Sequence, residues 1–205
     1  MDFNTRSAQW DAPMRVKRAA VVAQKIADFV PLTAGMEALE FGCGTGLVSF
    51  ALRGHVRSIL LVDASDGMLA VARQKIADAG VGNLCTLRHD LSSTEGLPQA
   101  AFDFVFSSMA LHHVVDVDAI AEVFRALLKP GGCLCIVDLD ADDGSFHADE
   151  PGFDGHDGFV QQELADLLGR HGFADARSET FFQDHRDRGG RVLDYSLFIL
   201  CAQKA

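Results

Sequence analysis

Basic residues are scarce. The 205-residue chain carries 18 Lys and Arg against 29 Asp and Glu, a formal net charge of −11. Nucleic-acid binding relies on Lys and Arg to neutralise phosphates, so such a surface repels a phosphate backbone. No dense basic run offsets this; the nearest is Arg15-Val16-Lys17-Arg18, on an expected amphipathic helix. Nucleic acid and membrane are therefore not expected partners. No apolar run is long enough to span a bilayer, and the N-terminus lacks the charged-then-apolar pattern of a signal peptide. A cytoplasmic location is the expectation. There is also no CxxC pair. Cys43, Cys85, Cys133, Cys135 and Cys201 are odd in number and lie mostly in or beside apolar runs. They read as reduced core thiols, with neither a disulfide nor a metal assigned to them.

What is present is an alternation of short strand-like runs and helical patterns, with 48% hydrophobic residues and no internal repeat. That alternation predicts an α/β fold with a largely parallel sheet. Helices are expected at 12–30, 47–53, 65–79, 120–128 and 159–171, and strands at 36–41, 58–63, 84–88, 102–106 and 133–139. Pro130-Gly131-Gly132 should break the fourth helix and turn into the fifth strand. Two final strands, 174–182 and 195–202, should pair as a hairpin around the polar segment 183–190. No linker divides the chain, so one domain is expected over 1–205.

Chemistry concentrates at strand ends. Leu39-Glu40-Phe41-Gly42-Cys43-Gly44-Thr45-Gly46 runs from a strand through a glycine turn into a helix. Glycine there admits positive φ and lets a ligand approach the backbone. A dinucleotide loop needs G-x-G-x-x-G, but Leu47 stands where its third glycine belongs, and a P-loop would need Gly-Lys-Ser/Thr. Glu40, just before the turn, would repel a pyrophosphate and offset a cation such as an amino-acid ammonium. Asp63 ends the second strand, where a carboxylate can accept from both hydroxyls of a ribose. Ala64 follows it, and Met68 is placed either against an adenine face or in the helix core. Asp90, after the third strand, can accept from an adenine amine while the Leu91 amide donates to a ring nitrogen; a plain loop role is open to both.

These pieces together resemble the class I S-adenosylmethionine-dependent methyltransferases. The matching segments are Glu40–Gly46, Val62-Asp63, His89-Asp90, Phe102–Ser107 and Leu128–Gly132. The likeness is greatest to small-molecule enzymes related to the ubiquinone/menaquinone-biosynthesis group. It implies a Rossmann-like, doubly wound seven-stranded sheet, mostly parallel, with the last strand antiparallel. It implies S-adenosyl-L-methionine as cofactor, held by Glu40, Gly42, Cys43, Gly44, Gly46, Asp63, Ala64, Met68, Asp90 and Leu91, with the Ser107 backbone on the methionine amine. After the fourth strand stands Ser107-Ser108-Met109-Ala110 rather than an Asn-Pro-Pro-Tyr motif, which argues against methylation of nucleic-acid bases.

On the acceptor side, His112 and His113 follow the fourth strand and Asp138 ends the fifth, giving three candidates for proton transfer. The stretch 138–158 is dense in aspartate and includes His147 and His156. A solvated lid is favoured there over a divalent metal, and no metal is assigned. Phe146, Phe153 and Phe159 offer an apolar wall, and Phe3 and Trp10 an N-terminal lid over residues 1–30. The expected partner is a small-molecule methyl acceptor, with the chain a monomer or homodimer. A non-catalytic S-adenosylmethionine-binding regulator and a NAD-dependent dehydrogenase are the rival readings.

Overall fold

The three longest helices form where an apolar stripe meets a start signal. In the computed structural model, which describes residues 3–150, 152–188 and 191–205 (for 186–188 and 191 the backbone only), the chain opens with a one-turn helix α1, Phe3–Arg6. Helix α2 then runs Pro13–Phe29, with Pro13 in the first turn, where its missing N–H costs nothing. Val22, Ala23 and Ile26 form its buried stripe. Helix α3, Leu47–Leu52, starts directly from Gly46. Helix α4, Asp66–Ala79, is capped by Ser65, whose side chain accepts from the Met68 N–H, and is closed by the left-handed Gly80. Helix α5, Val117–Leu127, is capped by Asp116 and buries Ile120, Val123, Phe124 and Leu127. Helix α6 spans Gln161–Arg170.

Strands β1 Glu37–Phe41, β2 Ser58–Asp63, β3 Leu84–Arg88, β4 Phe102–Ser108, β5 Leu128–Leu139, β6 Phe173–Arg188 and β7 Arg191–Lys204 form one seven-stranded sheet in the order β3-β2-β1-β4-β5-β7-β6. All sequential neighbours from β3 to β5 pair in parallel, and β7 runs antiparallel to both β5 and β6. Two apolar layers sandwich the sheet. One joins α2, α3 and α4 to it through residues such as Ile26, Leu52 and Leu69; the other joins α5 and α6 through Phe124 and Leu168. The connection 89–101 between β3 and β4 has no helix, and Leu91 and Leu97 plug the second layer from it.

Three boundaries differ from expectation. β5 begins at Leu128, because the register slips between Phe102 and Phe104 and absorbs Pro130-Gly131-Gly132 as an irregularity within the strand. β6 and β7 extend far past 182 and 195, pairing out to Arg188 and Arg191. The segment 183–190 is thus mostly strand, and Gly189 and Gly190 lie outside the described residues. Cys85 is exposed on the edge strand β3 and Cys133 half-buried, so only Cys43, Cys135 and Cys201 are core thiols.

Candidate active site

The parallel strands point their carboxyl ends at one crevice, the usual ligand position in an open α/β sheet. The glycine loop lines it. Gly42, Gly44 and Gly46 all adopt positive φ, at 65°, 54° and 79°. A Cβ on Gly42 would sit 2.3 Å from the Ala110 Cβ, and one on Gly46 2.6 Å from Leu61 Cδ2. Neither position admits a side chain, so loop and sheet close on each other as only glycine allows.

Asp63 ties the loop to the second strand. Its Oδ2 accepts from the Gly44 N–H and its Oδ1 from the Ser65 N–H, both at 2.8 Å. Burial raises its pKa, against the lowering effect of those amides. A cavity of about 390 Å³ opens beside it, lined by Gly42, Gly44, Asp63, Ala64, Met68 and Asp90 among others. Asp90 is exposed and held in a turn, its Oδ1 accepting from the Ser92 N–H at 2.9 Å. The hydrogen bonds from Ser92 lower its pKa. Leu91 turns inward: it is buried, and its amide donates to His89 Nδ1 at 2.8 Å.

A smaller cavity on the other side of the loop is lined by Glu40, Gly42, Cys43, Gly44, Thr45, Ser108, Met109, Trp10, Arg15 and Arg18. Glu40 is buried and accepts a hydrogen bond from Ser49 Oγ. Burial pushes its carboxyl up to about 8, outweighing the Ser49 hydrogen bonds and the Lys75 ammonium that act to lower it. The Cys43 thiol is also buried and raised well above its usual range by that burial. Ser107 is fully buried with its Oγ unpartnered, and its neighbours Ser108 and Met109 reach the cavity instead.

The N-terminus closes this side. Asn4 Oδ1 accepts from Ser65 Oγ at 2.8 Å and the Gly67 N–H at 2.9 Å. Lys75 pairs with Asp11 at 2.8 Å and reaches the Thr45 carbonyl at 3.0 Å. Trp10 lies under the Arg15 guanidinium, 4.3 Å from the ring centre, and touches Phe3 edge-on.

A third cavity, about 360 Å³, adjoins the first and shares Phe3, Trp10, Met109 and His113 with it. Its other walls include Arg6, Arg15, Arg18, His112, Phe146, His147, Glu150 and Tyr195. Of the three acceptor-side residues expected from the sequence, His112 and His113 line it and Asp138 lies buried behind His112. His112 Nδ1 lies 2.5 Å from Asp138 Oδ1, both residues being buried. Asp138 also accepts from the backbone N–H groups of His112 and Leu139. Burial alone would raise the Asp138 pKa, but the His112 imidazole and these hydrogen bonds outweigh it and hold the carboxyl below its usual range. The carboxylate holds the imidazole through Nδ1 and turns Nε2 away from itself. Burial, together with His112 and His147, lowers His113 to about 3.

Sequence reasoning did not place Met109, Ser108, Thr45 or the Arg15–Arg18 pair at the site. Arg15-Val16-Lys17-Arg18 was visible as the chain's nearest basic run, but only the packing of α2 over the loop turns it inward. Of the expected aromatic wall, Phe146 lines the third cavity, Phe153 stacks on His147 at 3.8 Å, and Phe159 packs away from it against Phe198.

Residues 39–136 match the family model described as a methyltransferase domain. An uncharacterized methyltransferase of Schizosaccharomyces pombe is 33% identical over 147 residues, which are 65% of this chain and 52% of that protein. The ubiquinone/menaquinone biosynthesis C-methyltransferase of Shewanella sp. (strain ANA-3) is 33% identical over 109 residues, 51% of this chain and 43% of that one. The chain spans about half the length of the curated relatives it matches. A crystal structure of a SAM-dependent methyltransferase from Thermotoga maritima superposes with a TM-score of 0.75 at 19% identity, covering 99% of this chain and 98% of the other, a likeness of fold.

Proposed function

We infer that residues 39–136, which match the methyltransferase-domain model, are of the class I S-adenosylmethionine-dependent type, and we propose that the protein transfers a methyl group to a small-molecule acceptor. The observation that carries the proposal is the pair of cavities flanking one glycine loop, with Asp63 in one and Glu40 in the other. Two carboxylates divided by a close-packed glycine turn suit a ligand with a ribose at one end and an ammonium at the other. When bound, S-adenosylmethionine supplies a methyl group on a sulfonium that is its own leaving group.

The residues then divide the work. Asp63 would accept from the ribose hydroxyls, Met68 and Asp90 would border the adenine, and Glu40 would meet the methionine ammonium. Arg15 and Arg18, in the same cavity as Glu40, suit the methionine carboxylate. Phe3, Trp10 and Met109 exclude water where the two larger cavities meet. His112, oriented by Asp138, offers Nε2 as acceptor for a proton leaving the methyl acceptor. A cavity of about 360 Å³ with Arg6, Arg15 and Arg18 on its wall favours a small acceptor carrying an anionic group.

Labelled S-adenosylmethionine, incubated with the protein and a panel of small aromatic and aliphatic carboxylates and phosphates, tests this. The expected outcome is label on at least one acceptor together with stoichiometric S-adenosylhomocysteine. Tight cofactor binding with no transfer to any acceptor class would favour a non-catalytic binding protein instead.

A further inference from the structure

The loop after β5 carries a group that the cofactor cradle does not use. His147 folds back onto the histidine pair: its ring centre is 5.1 Å from that of His112 and 5.8 Å from that of His113, while His112 and His113 are 4.1 Å apart. One ring nitrogen of each lies within 4.8 Å of those of the other two. We propose that His112, His113 and His147 form a binding site for a divalent transition-metal ion of the zinc type, open on one side to the acceptor cavity.

Three observations carry this. The first is the ligand set. Three imidazoles suit zinc and its neighbours in the first transition row, and three protein ligands with a fourth position open is the arrangement of catalytic zinc. Tetrahedral zinc at about 2.0–2.1 Å from each nitrogen needs nitrogens roughly 3.4 Å apart, so a contraction of at most roughly 1.4 Å closes the set.

The second is the support behind the ligands. Asp138 accepts from His112 Nδ1 at 2.5 Å and from two backbone amides, so the ring is fixed with Nε2 outward. A carboxylate on the far nitrogen of a histidine is the usual partner of a metal ligand, because it orients the ring and raises its basicity. Phe153 does a similar positional task for His147, stacked at 3.8 Å and 9°.

The third is unmet bonding capacity. His147 Nδ1 is buried without a hydrogen-bond partner, and so is Glu150 Oε2, which lines the same cavity. Leaving such atoms bare is unfavourable. A cation on the three rings answers the first and places a positive charge in the cavity that Glu150 lines.

Binding of the ion does not depend on the methyl-transfer reading; its use in catalysis does. An acceptor hydroxyl entering the open position would break its O–H bond, release the proton to solvent and form an O–metal bond. The oxygen would then be held as the anion that methyl transfer requires. In that state His112 Nε2 is a ligand and no longer a base.

The test uses the whole chain, stripped with a chelator and titrated with Zn²⁺ alone by calorimetry and Co²⁺ alone by visible absorption. We expect about one ion per chain and the intense d–d bands of four- or five-coordinate Co²⁺. His147→Ala and His113→Asn should each weaken Zn²⁺ binding on the order of 100-fold, while S-adenosylhomocysteine affinity of His147→Ala stays within about twofold. No saturable binding by the unmutated protein, the weak bands of an octahedral aquo-like ion, or equal affinity in both variants would overturn the site. The Co²⁺ spectrum of the unmutated protein decides the matter even where a variant fails to fold. Failure of S-adenosylhomocysteine to bind, with Zn²⁺ bound normally, strikes the methyl-transfer reading and leaves the metal site standing.

Discussion

At the scale of single residues, Glu40 carries the sharpest consequence. Its carboxyl is buried under the glycine loop, with Ser49 as hydrogen-bond donor, and burial raises it from 4.5 to about 8. Between those values the folded chain holds a proton that the unfolded chain has released. The Glu40 contribution to stability of the free protein therefore falls as pH rises from about 4.5 to about 8 and levels off above, by an amount on the order of 5 kcal/mol. His113, held at about 3 by burial, contributes with the opposite sign up to about pH 6.5, so thermal melts of the free protein should show the decline between about pH 6.5 and 8, and Glu40→Gln should flatten it there. An equally steep decline in the variant would place the proton elsewhere. Residues of this kind were legible in the sequence because each stands at a fixed offset from a strand end. Asp63 and Gly42 are set by local chain geometry alone. The pairing of Asp138 with His112 was not legible: the two were named separately, and only the adjacency of β4 and β5 brings them to 2.5 Å. Leu91 shows the opposite failure. Its amide was expected to face a ligand, but His89, two positions back, satisfies it first.

Among the elements, the N-terminal pair α1 and α2 decides what the site can hold. Asn4 fastens α1 to the cap of α4, Asp11 links the following turn to Lys75 and Thr45, and α2 brings Arg15 and Arg18 to the cavity that Glu40 lines. We propose that this segment is the lid of the cofactor cavity, with Trp10 as the ring common to all three cavities. Trp10→Ala should lower S-adenosylhomocysteine affinity by roughly tenfold, which is about 1.4 kcal/mol; calorimetry and turnover both unchanged would remove the lid from the account. Helix positions were legible because apolar spacing and caps agree, as at Ser65 and Gly80 around α4. The reach of β6 and β7 was not. Their outer halves are polar, as strands extending beyond the core are, and polar composition reads as loop.

For the molecule as a whole, function is a property of one edge of the sheet. Strands β1, β2, β4 and β5 end beside one another, so Glu40, Asp63, Met109 and Asp138 converge although they are far apart in the chain. The strand order and the antiparallel β7 agree with the expected architecture, because parallel βα alternation leaves few other solutions. The acidic stretch after β5 was read as a solvated lid without a metal, yet it delivers His147 to the histidine pair, a closure no local pattern predicts. The central claim is that the glycine loop and Asp63 hold S-adenosylmethionine rather than a dinucleotide. Calorimetric titration of the protein and of Asp63→Asn with S-adenosylmethionine, S-adenosylhomocysteine and NAD tests it most directly. The account predicts one site for each of the first two, none for NAD, and affinity weakened about 10- to 100-fold in the variant. Binding of NAD, or unchanged affinity in a folded Asp63→Asn protein, would contradict it.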